Sequence, residues 1–316
     1  MLTTILIALG AGAASALLVA AVATGSALSV PLFYLAPLPV LIVGLGWSHR
    51  AALIAAGAGT IAIGSFFGHE LLVAYAAGVG GPAYVLSFLA LMARAAPNDG
   101  ALEWFPVGRI VLAAAIAGTL TVLALVPLVA GDIDTYKAAL RTLFEAELQA
   151  RTGELQGDAG RFVDLLVTIM PPTAAALTML TQIGNLWLAG RIVRTSGRLM
   201  RPWPDLAAAS LPREAGLVFL GSLGVALGTS GLLGLVGTLL TATLAMAFAL
   251  VGLATIHAIT RGAGGRALVI ATVWLACLIL VWPFALVAVL GFVETAFGLR
   301  ARFSNRGSGP PAANDR

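Results

Sequence analysis

Residues 237–260 read GTLLTATLAMAFALVGLATIHAIT, 24 positions without a single Asp, Glu, Lys or Arg. A helix needs roughly 20 apolar residues to cross a bilayer core of about 30 Å, so this stretch is long enough to span a membrane. Its backbone groups must then be bonded within the segment, which means a helix. Outward from it, comparable apolar segments occupy 3–24, 31–47, 51–67, 71–93, 107–130, 162–190, 214–235 and 267–293. None alternates as a barrel strand would. The expected fold is therefore an all-α, multi-pass membrane bundle.

Composition agrees. Hydrophobic residues make up 59% of the 316 and charged residues 10%, with a mean hydropathy of +0.99. A soluble domain carries about 25% charge. The net charge of +4 rests on arginine, Lys137 being the only lysine. These arginines flank apolar segments, so the high pI of 9.8 points to a membrane rather than to nucleic acid. Cys277 is the only cysteine and lies in an apolar run, which leaves no disulfide and no cysteine-based zinc site. The first 24 residues carry no Lys or Arg, so they read as a retained first helix and not as a cleaved leader.

Charge is sorted along the chain. The loop 131–164 holds seven acids against four bases. Within it Tyr136, Leu140, Phe144 and Leu148 recur every four residues, which predicts an amphipathic helix from Tyr136 to Leu155. That helix would lie on the membrane surface, cap a cavity or form a solvated hairpin. Five arginines fall between 191 and 213, which places that loop in the cytoplasm of a bacterial inner-membrane protein and the acidic insertion, 131–161, outside. Arg50, Arg94 and Arg109 fall on the inner side of the same scheme. The tail arginines 300, 302 and 306 belong there too, yet three full crossings between 214 and 293 would put them outside. Either one segment is re-entrant, with glycine-rich 214–235 the best candidate, or the tail breaks the rule; the expectation is eight full crossings plus one incomplete one. Residues 1–303 form one membrane domain in this reading, and 304–316 a disordered tail.

Several segments carry helix breakers. Pro31, Pro37 and Pro39 crowd the second, Gly80-Gly81-Pro82 interrupts the fourth, and Pro171-Pro172 falls inside the sixth. Proline removes a backbone donor, and the freed carbonyls need another partner or a polar cavity. Six glycines in 214–235 (216, 221, 224, 228, 231 and 234) suit close helix packing.

Three stretches carry a resemblance: PLFYLAPLPVLIVGLGWSHRAAL at 31–53, NLWLAGRIVRTSGRLMRPWPDLAAASLPREAG at 185–216, and FALVGLATIHAITRGAGGRALV followed by LGFVETAFGLRAR within 248–302. Together they resemble the YybS-like bacterial membrane proteins, whose function is unknown. The final stretch matches that family's pattern of glycine, acid, aromatic and arginine after the last helix, with Gly291, Glu294, Phe297 and Arg300, and with Glu where Asp is expected. The family also carries an asparagine at the position of Asn185. A more distant likeness is to the substrate-binding subunits of energy-coupling-factor transporters, which are shorter.

Polar groups inside apolar runs are costly and mark candidate sites. Thr181, Gln182 and Asn185 lie about one turn apart on adjoining faces of the sixth segment. With Tyr34, between Pro31 and Pro37, they are the candidate hydrogen-bonding contacts to a small polar solute. The plainer use of the amides is bonding between helices. His69 and Glu70 could relay protons or bind a metal, or simply form an interfacial turn. Arg191, Arg194, Arg198 and Arg201 form one stripe if the helix continues, suited to anionic lipid or to a cytoplasmic partner. Tryptophans near segment ends fit aromatic belts.

No nucleotide-binding loop, nucleophile motif or metal cluster is present, so no enzyme and no cofactor is expected. Two function classes follow. One is a solute-binding transport-type subunit driven by a protein partner, since carboxylates for ion coupling are scarce. The other is a non-transporting envelope or assembly scaffold.

Overall fold

The computed structural model describes residues 1–96, 101–129, 131–152, 159–280 and 282–301. The expected tail at 304–316 and the end of the amphipathic helix, 153–155, lie outside these residues. Thirteen α-helices are described: α1 (Leu2–Ala20), α2 (Ser29–Tyr34), α3 (Pro37–Gly46), α4 (His49–Phe67), α5 (His69–Tyr75), α6 (Gly81–Leu91), α7 (Val107–Val129), α8 (Ile133–Thr152), α9 (Ala159–Thr195), α10 (Glu214–Gly228), α11 (Gly231–Ile259), α12 (Arg266–Leu280) and α13 (Pro283–Phe297). With α2–α3 and α5–α6 each counted as one interrupted span, seven spans among the described residues are long and apolar enough to cross a membrane.

Local chemistry sets many of the boundaries. Ser48 caps α4 by accepting the Ala51 N–H at 3.2 Å. Gly68, at φ +93°, separates α4 from α5 in a conformation that favours glycine. Pro37 and Pro283 stand at helix starts, where the fixed φ of proline suits the first turn. The only strands among the described residues form a short antiparallel hairpin, β1 (Ala93–Ala95) with β2 (Leu102–Trp104). Arg94 and Glu103 pair across it at 2.8 Å, and each holds the other charged: the carboxyl sits below its ordinary range and the guanidinium above.

Of the expected interruptions, two are present. The second segment is split between α2 and α3, and the fourth passes through a π-helical turn, Ala76–Gly80, just before Pro82. The third is absent: α9 runs unbroken for 37 residues through Pro171 and Pro172, about 55 Å at 1.5 Å per residue. Continuity on either side carries the helix past the two lost donors. The residues whose carbonyls are freed, Val167 and Thr168, line a cavity.

α9 connects two chemically distinct faces. At its start lie α8 and the acidic residues, with Arg141 bonding Asp164 at 2.6 Å. The α8 stripe is as expected: Tyr136 is buried and Leu140, Phe144 and Leu148 are half-buried. At the other end of α9 lies the arginine loop. Arg198 stacks on Trp47, Arg201 donates to the carbonyls of Ala90 and Phe105, and Asp205 pairs with Arg261 at 2.6 Å. Those contacts bring the α3–α4 turn, the β-hairpin, the end of α11 and the loop 196–213 to one arginine face.

The incomplete element is not the glycine-rich 214–235. α10 begins beside the arginine loop, and its far end, with Thr229 and Ser230, lies beside Tyr136 and Lys137 of α8; it therefore joins the two faces. The apolar run 267–293 is instead two helices of 15 residues, α12 and α13. Arg261 precedes α12 and binds Asp205, while Arg300 follows α13 and binds the carbonyls of Ala207 and Ala209. The α12–α13 pair thus enters and leaves at the arginine face. Among the described residues the seven long spans and α10 join the two faces, the α12–α13 pair returns to the face it left, and Arg300 ends on the same side as Arg201 and Arg261.

The bundle is held by close approach of backbones. A Cβ on Gly252 would stand 2.0 Å from the Val287 carbonyl, and one on Gly291 would stand 1.9 Å from that of Phe248. α11 and α13 therefore touch backbone to backbone, and Phe248 meets Phe219 and Phe292 edge to face beside them. The glycines of 214–235 do little of this. Gly221, Gly224 and Gly228 have no atom within 4 Å of such a Cβ, and Gly231 serves a turn at φ +65°.

Candidate functional site

Gln182 and Asn185 are buried on α9 and face the two interrupted segments. Pro37 has no N–H, and Leu38 donates to Leu35, so the carbonyl of Tyr34 is left without its helical donor. Asn185 fills that role, its Nδ2 donating to Tyr34 O at 2.7 Å and to Thr181 O at 2.8 Å. At the other break, Pro82 offers no N–H to Gly78. Gln182 Nε2 donates to Gly78 O at 2.8 Å, and Thr121 Oγ1 donates to the neighbouring Ala77 O at 2.9 Å. Each break is thus closed by a side chain from another helix.

The four expected contact residues are therefore gathered as a helix staple. Tyr34 and Thr181 take part through their carbonyls, and the amide N–H groups are spent on backbone. Two acceptors remain: Gln182 Oε1 and Asn185 Oδ1 are buried without a hydrogen-bond partner among the described residues. Sequence reading missed Thr121 and the chain from the Tyr75 hydroxyl to Ser15 Oγ at 2.7 Å and on to Ala36 O at 2.6 Å. Lone hydroxyls in apolar helices carry no pattern that distinguishes them.

A cavity of about 560 Å³ opens on the acidic face between α8, α9 and the α10–α11 turn. Tyr136, Lys137, Thr168, Ser230 and Thr238 line it, with the Arg141–Asp164 pair at its wall. Burial raises the Tyr136 phenol above its ordinary value, so it stands protonated there as a donor. A second cavity, of about 510 Å³, lies near the arginine face and is apolar. It is bounded by Ile110, Ile183, Gly184, Leu250 and the Trp/Pro loop 202–204.

His69 and Glu70 sit 3.3 Å apart in an exposed turn. Among the described residues no group of three or more His, Cys, Asp or Glu could hold a metal. Glu294, the other acid near a helix end, is buried and bound to Arg300.

The model of a family described as predicted membrane protein (DUF2232) matches residues 13–295. The chain belongs to that family. Comparison with curated proteins and with solved structures returned no match. The finding supports a membrane family of unknown function. It does not reach the narrower likeness to YybS-like proteins or to energy-coupling-factor subunits.

The DUF2232 match runs from within α1 almost to the end of α13, so it includes both stapled breaks and the Gly252–Gly291 contact. Arg300 lies just beyond it. In this DUF2232 chain the arginine stripe divides by role. Arg191 and Arg194 stack on Trp203, Arg191 also on Trp187, and Arg198 on Trp47. Arg201 turns inward to backbone carbonyls.

Proposed function

We propose that the protein is a membrane subunit that binds a small polar solute in the cavity under α8 and hands it on with the help of a protein partner. One observation supports this reading above the others. The cavity under α8 carries a lysine, a phenol and hydroxyls on a mostly apolar wall, and lies at the meeting of three features suited to a gate: an amphipathic surface helix, the Pro171-Pro172 site of α9, and the glycine turn into α11. Its volume falls in the range of small-molecule sites. Lys137, Tyr136 and the hydroxyls of Thr168, Ser230 and Thr238 offer both donors and acceptors to a solute. The binding contacts move in this reading from Tyr34, Thr181, Gln182 and Asn185 to this cavity.

The test is a thermal melt of purified protein in detergent against a library of polar metabolites. A specific metabolite raises the melting temperature, and Lys137→Met with Thr168→Val removes that rise. If Asn185→Ala removes it and the cavity variants do not, the solute sits at the amides. No shift from any metabolite, with a membrane protein co-purifying in fixed ratio, overturns solute binding in favour of the scaffold role.

A further inference from the structure

We propose that the arginine face seats one anionic phospholipid, its tail in the apolar cavity and its phosphate on Arg191 and Arg194. The two guanidinium groups lie over the ring of Trp203 at 5.7 and 5.4 Å from its centroid, and Trp203 is itself part of the cavity wall. A guanidinium held over an indole by cation–π attraction keeps its N–H donors, and its planar fork matches a phosphate. Both arginines are exposed. Among the described residues neither is paired with a carboxylate. Two positive charges therefore stand beside the cavity with no carboxylate partner among the described residues.

Below them the cavity of about 510 Å³ is walled by Ile110, Ile183, Leu250 and the indoles of Trp187 and Trp274. Those indoles are 48% and 41% exposed, so the opening reaches the bundle surface where lipid would stand. A polar solute would lose its hydration in such a cleft without compensation. A phospholipid supplies what both parts need, a chain for the apolar wall and an anion for the rim. Gly184 lines the cavity, and no atom lies within 4 Å of where its Cβ would stand. A side chain there grows into the space meant for the tail.

Delipidated protein is titrated with phosphatidylglycerol, phosphatidylcholine or glycerol 3-phosphate, and bound lipid is read by native mass spectrometry. One phosphatidylglycerol per chain is retained at least tenfold better than phosphatidylcholine. Glycerol 3-phosphate does not displace it at equal concentration. Gly184→Phe abolishes retention with the arginines intact, and Arg191→Gln with Arg194→Gln lowers phosphatidylglycerol to the phosphatidylcholine level. Melting temperatures confirm folding, and the surface arginine variants carry the test if Gly184→Phe unfolds. Equal retention of both lipids, unchanged retention in Gly184→Phe, or displacement by glycerol 3-phosphate alone overturns the proposal.

Discussion

Glu294 grips Arg300 through both carboxylate oxygens: Oε1 accepts from Nε at 2.7 Å and Oε2 accepts the Arg300 backbone N–H at 3.0 Å. Side-chain exposure is only 7% and 16%, and the arginine passes the link on to the 206–209 turn. Breaking a buried pair leaves a charge without its partner, which costs about 3–5 kcal/mol. Glu294→Gln and Arg300→Gln should each lower unfolding free energy in detergent by about 3 kcal/mol, the arginine change more because it also abandons two carbonyls. The double variant should lose little beyond the worse single one. Additive losses in that cycle would show that the two act independently.

The α11–α13 contact leaves no room for a methyl group. Gly291→Ala and Gly252→Ala should each cost about 3 kcal/mol, at the top of the usual overpacking range, because the obstacle is backbone. Gly224→Ala, with nothing near its Cβ, should be neutral within about 0.5 kcal/mol. Equal melting temperatures for Gly224→Ala and Gly291→Ala would refute the close approach.

Removing a staple exposes a carbonyl that no helical N–H can serve. Buried hydrogen bonds between membrane helices average about 0.6 kcal/mol and reach about 1.7. Gln182→Leu and Asn185→Leu belong near the upper figure, since proline has already removed the alternative donor. Unfolding in bicelles measures this, and amide hydrogen exchange should rise locally at 34–38 for Asn185→Leu and at 78–83 for Gln182→Leu. A global rise without that localisation would contradict the pairing.

Asp205 and Arg261 tie the arginine loop to the end of α11 from exposed positions. The guanidinium, with help from the backbone N–H of Ala207, holds the Asp205 carboxyl below its ordinary value. A carboxyl depressed in the folded state stabilises above its unfolded value, about 3.9, and loses that contribution as pH falls through the lower folded one. The melting difference between the native protein and Asp205→Asn should therefore be flat near neutrality and shrink only below about pH 3.9. A difference that grew on acidification would have the wrong sign.

Much of the architecture was legible because the bilayer simplifies the code. Runs such as 237–260 could only be helix, and the Tyr136–Leu148 stripe gave the surface helix its inward face. The arginines also sorted correctly to one face. What escaped was the position of the incomplete element. Residues 267–293 have the hydropathy of one crossing, and a single Pro283 in them resembles the prolines that α9 absorbs at 171 and 172. Only the contacts of Arg261 and Arg300 with one turn distinguish a return from a passage. The amides were found for the right reason, their cost inside apolar helix, but the carbonyls they serve lie 151 and 104 residues away. No local pattern encodes such partners.

That separation bears on how the protein is made. The carbonyls of Tyr34 and Gly78 enter the bilayer long before α9 is synthesised, and through that interval their donors do not yet exist. The early helices must then be held by a surrogate, whether water, headgroup or insertion machinery, until Gln182 and Asn185 emerge. Maturation of the N-terminal half is in this sense timed by the sixth long span, and a chain truncated before 182 would reach the membrane with its first breaks still open.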